Sequence, residues 1–195
     1  MKDRYLKYIE REINRPLSSI DIENILDNKC KIILYPELIN YSSIDELLKP
    51  YGCVIILYMH KKINNNNSFY GHWCCIFKIK DKSKTIEFFD PYGHFCDDQL
   101  NTKALDRHFR IENGLVYPLL SYLLFYTGTK YNLTFNHYKF QGPDSSTCGR
   151  HCCVRLLNKD LSLTKYNKYM KSFGINYDLL VTILTDNILT NNIND

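Results

Sequence analysis

Apolar positions along this chain come in short blocks whose lengths suit strands and medium-length helices in mixed order. "GCVIILYM" (52–59) is a continuous apolar run of strand length and predicts a strand covered on both faces. "HWCCIFKIK" (72–80) and "KTIEFFD" (84–90) predict two more strands, joined across the polar "DKSK" at hairpin length. "KIILY" (31–35) and the start of "YNLTFNHYKFQ" (131–141) complete the strand set. Between the first two runs, "KKINNNNSFYG" (61–71) is polar and reads as a surface loop around the tract 64–67.

Helices are predicted from caps and periodicity. Ser18 caps a helix whose Ile20, Ile22, Ile25 and Leu26 fall on one face. Ser43 and Glu46 have capping-box spacing, and Pro50 stops the helix they start. Further helices are expected at 119–126, ended by Gly128, from Cys148 onward, and at 177–189, with 191–195 frayed. The fold class is therefore α+β, a small mixed or antiparallel sheet flanked by helices. No internal repeat and no long linker divides the chain, so residues 1–195 are expected to form one domain.

At 195 residues, with 45% apolar and 24% charged, the chain is long enough for a sizeable core and has a globular composition. Its apolar runs are too short to cross a bilayer, and "MKDRYLKYIEREINRP" lacks the apolar segment of a secretory signal. No membrane partner is expected, and the eight cysteines are expected as thiols in a reducing compartment. The formal charge of +4 allows a polyanion partner without requiring one. Abundant Asn, Ile, Lys and Tyr point to an AT-rich coding sequence.

The chemistry concentrates in "QGPDSSTCGRHCC" (141–153). Cys148 follows a turn-forming run and opens a helix, where unpaired N–H groups and the helix dipole favour a thiolate. On its own it reads as readily as a small buried hydrophobe. Gly149 beside it would let a substrate backbone come close. A nucleophilic thiol needs a base, and of six histidines His72, in "GHW" where a loop enters a strand, has the most suitable context. His151 lies one helical turn past Cys148 and points away from the opening. Asp90 ends the strand that should pair antiparallel with the one containing His72, so the two are expected to be neighbours across one hairpin. Glu87 is the fallback acid. Gln141, seven residues before Cys148 across a Gly-Pro turn, can supply an oxyanion donor with the Cys148 N–H.

Together, "GHW", "FFDPYG" and "QGPDSSTCGRHCC" resemble the adenovirus protease (adenain) family of cysteine proteases, relatives of the SUMO-specific proteases. The resemblance covers residues 71–157, in the order His, acid, Gln, Cys. It implies a papain-like cysteine peptidase with its nucleophile at the N-terminus of a buried helix. His72 would be the general base, Asp90 its partner, Gln141 the oxyanion donor and Cys148 the nucleophile. By the same resemblance Trp73 narrows the cleft, giving a preference for Gly-Gly-X or Gly-X sites. Residues 1–70 give N-terminal helices and strands without a clear match, 71–157 the catalytic core, and 158–195 C-terminal helices. The expected substrates are viral capsid or core precursors, cut by a monomer in host cytoplasm or viral factory and packaged in the virion. The alternatives are a deubiquitinase or SUMO-type protease, and a non-catalytic or nucleic-acid-binding module. The adenovirus enzyme is stimulated by DNA and by a disulfide-forming peptide; no cofactor is predicted, and an activator of either kind stays an open partner. No metal site is expected either, because Cys74–Cys75 and Cys152–Cys153 lack ligand spacing and Cys148-x₂-His151 would consume the nucleophile.

Overall fold

The structure is a computed structural model and describes residues 2–63, 68–80, 84–101, 105–127 and 130–191. Its centre is a five-stranded mixed sheet in chain order, β1 (Lys31–Leu34), β2 (Cys53–Ile63), β3 (Ser68–Ile79), β4 (Thr85–Phe89) and β5 (Asn132–Phe135). The inner pairs β2–β3 and β3–β4 are antiparallel, and the outer pairs β1–β2 and β4–β5 are parallel. Apolar residues on both faces explain the unbroken hydrophobic runs. Val54, Ile55 and Ile56 of β2 are fully buried, as are Cys74 to Phe77 of β3.

Among the described residues, eight α-helices flank the sheet: α1 (Lys2–Ile13), α2 (Ser19–Ile25), α3 (Ile44–Leu47), α4 (Arg107–Glu112), α5 (Leu119–Tyr126), α6 (Cys148–Leu157), α7 (Leu163–Ser172) and α8 (Tyr177–Asn191). The helix that matters most is α6, in which every residue from Cys148 to Leu156 is buried. It lies against β3, with α2 and α8 packed on it and α1 packed on α8. Two buried ion pairs fix it. Arg155 makes a forked contact to Glu87 of β4, Nε to Oε1 at 2.7 Å and Nη2 to Oε2 at 2.8 Å, and its guanidinium lies over the rings of Phe77 and Tyr166. Arg150 reaches Glu12 of α1 at 2.9 Å and the Thr185 hydroxyl of α8 at 2.7 Å. Among the described residues, no helix is long and apolar enough to cross a membrane.

Several expectations shift. β2 and β3 run on through Lys61–Ile63 and Ser68–Gly71, which the polar pattern assigned to a loop; 64–67 themselves lie outside the described residues. These hairpin arms project past the core, so they are paired without being apolar. Where His60 bulges out of β2, the register slips between Met59 and Lys61. Opposite it Gly71 approaches so closely that a Cβ would stand 2.1 Å from the Tyr58 carbonyl oxygen. In α2, Ile20 is 66% exposed and only Ile22 and Ile25 turn inward. Ser18 caps the helix as expected, in a reciprocal box with Asp21. At α3 the Ser43 hydroxyl accepts the Glu46 N–H, but the Glu46 carboxylate takes the N–H and hydroxyl of Ser42 instead. The expected stop at Gly128, most of the "DKSK" connection and the expected fraying of 192–195 also fall outside the described residues. Three helices had no counterpart in the pattern, α1, α4 and α7.

Candidate active site

β3 carries His72 in mid-strand, four residues in, rather than where a loop enters a strand as the pattern suggested. The register pairs Cys75 with Phe89, which puts Asp90, one residue on, beside Cys74 and diagonal to His72. Across that diagonal His72 Nε2 lies 2.8 Å from Asp90 Oδ1. The carboxylate can only accept, so Nε2 carries the proton and Nδ1 is the ring nitrogen left to act as a base. His72, Asp90 and Cys148 are nearly sealed, at 3%, 0% and 7% exposed.

Asp90 is held from every side. Oδ1 also accepts the Tyr92 N–H at 2.7 Å, and Oδ2 accepts Gln99 Nε2 at 3.0 Å. Asn136 clamps its backbone, donating to the Asp90 carbonyl and accepting the Asp90 N–H. Burial works against this carboxylate's charge, but His72, Gln99 and the Tyr92 N–H outweigh it and hold the pKa below the ordinary value. For His72, burial likewise opposes the charged form. Cys74, Asp90 and the bonds to Asp90 and Cys148 reverse that and raise the imidazole well above the usual histidine range. Since burial pushes the Cys74 thiol up and keeps it neutral, Asp90 is the charge that matters. The Tyr92 ring stacks on the imidazole, centroids 4.7 Å apart and 19° from parallel, which fixes its plane.

Gln141 is buried at the head of the loop leading to Cys148, its backbone N–H bonded to the Pro91 carbonyl at 3.1 Å. One side-chain N–H donates to the Ser145 carbonyl at 2.9 Å, leaving the amide's second N–H for another acceptor. Glu87, the fallback acid, is taken by Arg155 and belongs to the α6 anchor rather than to this group. Gly149 packs closely against the protein itself. A Cβ there would stand 3.1 Å from the Trp73 ring and 3.2 Å from the Leu17 side chain, so the missing side chain lets the helix start tuck beneath the indole. Trp73 donates its indole N–H to the Leu17 carbonyl at 3.2 Å. It also walls a groove of about 540 Å³ whose lining includes Leu17, Leu57, Phe69, Tyr70 and Gly71.

Tyr92, Gln99 and Asn136 carry no sequence signal for this place, because only the tertiary fold brings them to Asp90. Cys74 is another such residue. Ligating atoms of His72, Cys74 and Asp90 lie within 4.8 Å of one another, a grouping that spacing along the chain could not reveal. A metal there would have to displace the proton between His72 and Asp90, which are each other's partners. His151, set aside as a base, lies within α6 with Nε2 3.0 Å from Asp178 Oδ1.

No family model matches the chain. The uncharacterized protein V9 of Sputnik virophage is 42% identical to it over 186 residues, 92% of this chain and 98% of that protein. The chain belongs to the V9 family. That membership conveys kinship without an activity, since V9 is itself uncharacterized. Among solved structures, the V9-family chain is similar to the SUMO protease Ulp1 with its catalytic cysteine oxidised to a sulfinic acid. Identity is 15% and the TM-score 0.37, over 91% of this chain and 78% of that one. The C-terminal Ulp1 protease domain in complex with Smt3, the yeast orthologue of SUMO, gives 17% and 0.39 over 90% and 77%. Likenesses at this level are distant, and no residue's role is carried over from them.

Proposed function

We propose that this V9-family protein is a cysteine peptidase with Cys148 as nucleophile, His72 as general base and Asp90 as the base's partner. The observation that carries the reading is the buried relay of His72 and Asp90, 2.8 Å apart, with the thiol that opens α6 among the groups that raise the imidazole. In such a relay His72 takes the thiol proton and the sulfur attacks a peptide carbonyl. Asp90 keeps the imidazole in the required tautomer and stabilises the imidazolium. Gln141 and the Cys148 N–H would hold the oxyanion, His72 would protonate the leaving amine, and water would release the acyl group.

The substrate reading rests on Trp73. Its indole follows His72 in β3, donates to the Leu17 carbonyl and crowds Gly149 beside the nucleophile, which favours residues without side chains next to the scissile bond, Gly-Gly or Gly-X. Two substrates meet that requirement. Kinship with a virophage protein supports a virion precursor cut during maturation. The other is the glycine-ended tail of a ubiquitin-like modifier, the class of partner bound by the Ulp1 domain solved with Smt3.

Iodoacetamide labelling at pH 6, with peptide mapping, tests the nucleophile. Fast labelling confined to Cys148 and lost in His72→Ala is expected; slow, even labelling of several thiols would sink the peptidase reading. Gly-X precursor peptides and ubiquitin-like fusions, offered to the same enzyme, then separate the two substrates.

A further inference from the structure

The loop from Gln141 to Thr147 joins the two donors assigned to the oxyanion, and both of its ends are tied to one carboxylate. Asp178, near the start of α8, is 6% exposed. Its Oδ2 accepts the Gly142 N–H at 2.9 Å. Its Oδ1 accepts the Thr147 hydroxyl and faces His151 Nε2 at 3.0 Å. A Cβ on Gly142 would come within 2.9 Å of Oδ2, so the contact depends on glycine. Asp178 is itself fixed, its N–H bonded to Asn176 Oδ1 at 2.8 Å. Between the tied ends, Ser145 closes the loop on itself, its hydroxyl bonded to the Gly142 carbonyl at 3.2 Å and its carbonyl to the Gln141 amide.

We propose that Asp178 is a positioning residue. It sets the separation between the Gln141 amide and the Cys148 N–H, and so the shape of the oxyanion site. The inference rests on the peptidase reading above. Three donors converge on the side chain, and a carboxylate can accept all three through its four lone-pair sites. An asparagine of the same shape has one acceptor oxygen and an NH₂ group, so at one end of the loop the charged acceptor is lost and the groups there must turn, the hydroxyl by rotation and His151 by changing tautomer, or lose their bond. Among the described residues the Asp178 carboxylate bonds Gly142, Thr147 and His151 rather than His72 or the Cys148 thiol, so the thiol's nucleophilicity should survive the change. The oxyanion-dependent step should not.

The test compares two reactions of Cys148 in wild type, Asp178→Asn and Thr147→Val. Alkylation by iodoacetamide needs only the activated thiol, whereas hydrolysis of a peptidyl-Gly-Gly-aminomethylcoumarin also needs the oxyanion donors. For Asp178→Asn, kcat should fall ~30- to 100-fold, with KM and the alkylation rate changed by less than ~3-fold. If Asp178→Asn does not fold, Thr147→Val removes one donor and should lower kcat ~3- to 10-fold with the same split. Equal losses in alkylation and hydrolysis, or none in hydrolysis, would overturn the positioning role while leaving the peptidase reading intact. A wild type that neither labels selectively at Cys148 nor hydrolyses the amide would sink both.

Discussion

Two buried histidine–carboxylate pairs flank the start of α6, and they are nearly alike in geometry: His72–Asp90 at 2.8 Å and His151–Asp178 at 3.0 Å. Their environments drive them apart. Asp90 and the Cys74 and Cys148 thiols act together on His72, which is raised well above the usual histidine pKa. His151 meets Asp178, while among the described residues its buried Nδ1 has no hydrogen-bond partner, and burial outweighs Asp178 to lower it. One imidazole is placed to exchange a proton with a reacting group, and the other is a neutral strut. A histidine beside an aspartate is thus weak evidence of catalysis, and what the second nitrogen meets decides the matter.

The largest expected difference is between the two histidines themselves. His72→Ala should lower peptide hydrolysis by ~10⁴-fold or more, as should Cys148→Ala, while His151→Gln should stay within ~10-fold. Equal losses from His72 and His151 would erase the distinction. Next comes Asp90→Asn, which keeps the shape but favours the wrong imidazole tautomer; kcat should drop by ~10³- to 10⁴-fold with the fold retained by circular dichroism.

A third variant acts between the pairs. Gly149→Ala pushes a methyl against Trp73 and Leu17, so it should cost ~1–3 kcal/mol in urea denaturation and slow alkylation of Cys148. The smallest effect is a pH dependence. His151 has its pKa lowered by folding from an ordinary 6.5, so its contribution to stability is present above pH 6.5 and is lost as pH falls toward the folded value. His60 behaves likewise, lowered to about 4 by burial and by the charge of His72. His72 runs the other way: its contribution is present below pH 6.5 and is lost only as pH rises through its raised value. Urea titrations at pH 7, 6 and 5 should therefore show a flatter acid limb for His151→Gln and for His60→Gln than for wild type. An unchanged limb would mean that His151 is already protonated in the fold.

The sheet was legible because its inner strands are apolar on both faces and leave long hydrophobic runs, α2 and α3 because Ser18 and Ser43 cap them, and α6 because a turn-forming run leads into it. What escaped was structure that does not advertise itself by hydrophobicity. Among the described side chains of α1, only Ile9 and Glu12 are buried, and Glu12 is there for the charge of Arg150. In α7 the inward residues are just Tyr166 and Met170, amid lysines. The site divides the same way. His72, Asp90, Gln141 and Cys148 stand in contexts that chemistry marks, a strand, a strand end and a turn before a helix. Asn136, Gln99 and Asp178 are ordinary polar residues locally, and they acquire meaning only when folding aims them at Asp90 or at the loop ends. At Gly149 the sequence shows that a side chain is missing but not that Trp73 and Leu17 lie in its place.

The forked contact between Arg155 and Glu87 has a consequence for descent. It joins the helix that begins at Cys148 to the strand that ends beside Asp90, and both side chains are fully buried. Losing either partner alone strands a charge in the interior at ~3–5 kcal/mol, whereas replacing both by well-packed apolar residues can be neutral or better. Against a typical stability of ~5–15 kcal/mol, single steps at these positions are steep. Across V9-family sequences the two positions should therefore be inherited as a unit, kept together or exchanged together, even where the surface around them drifts freely.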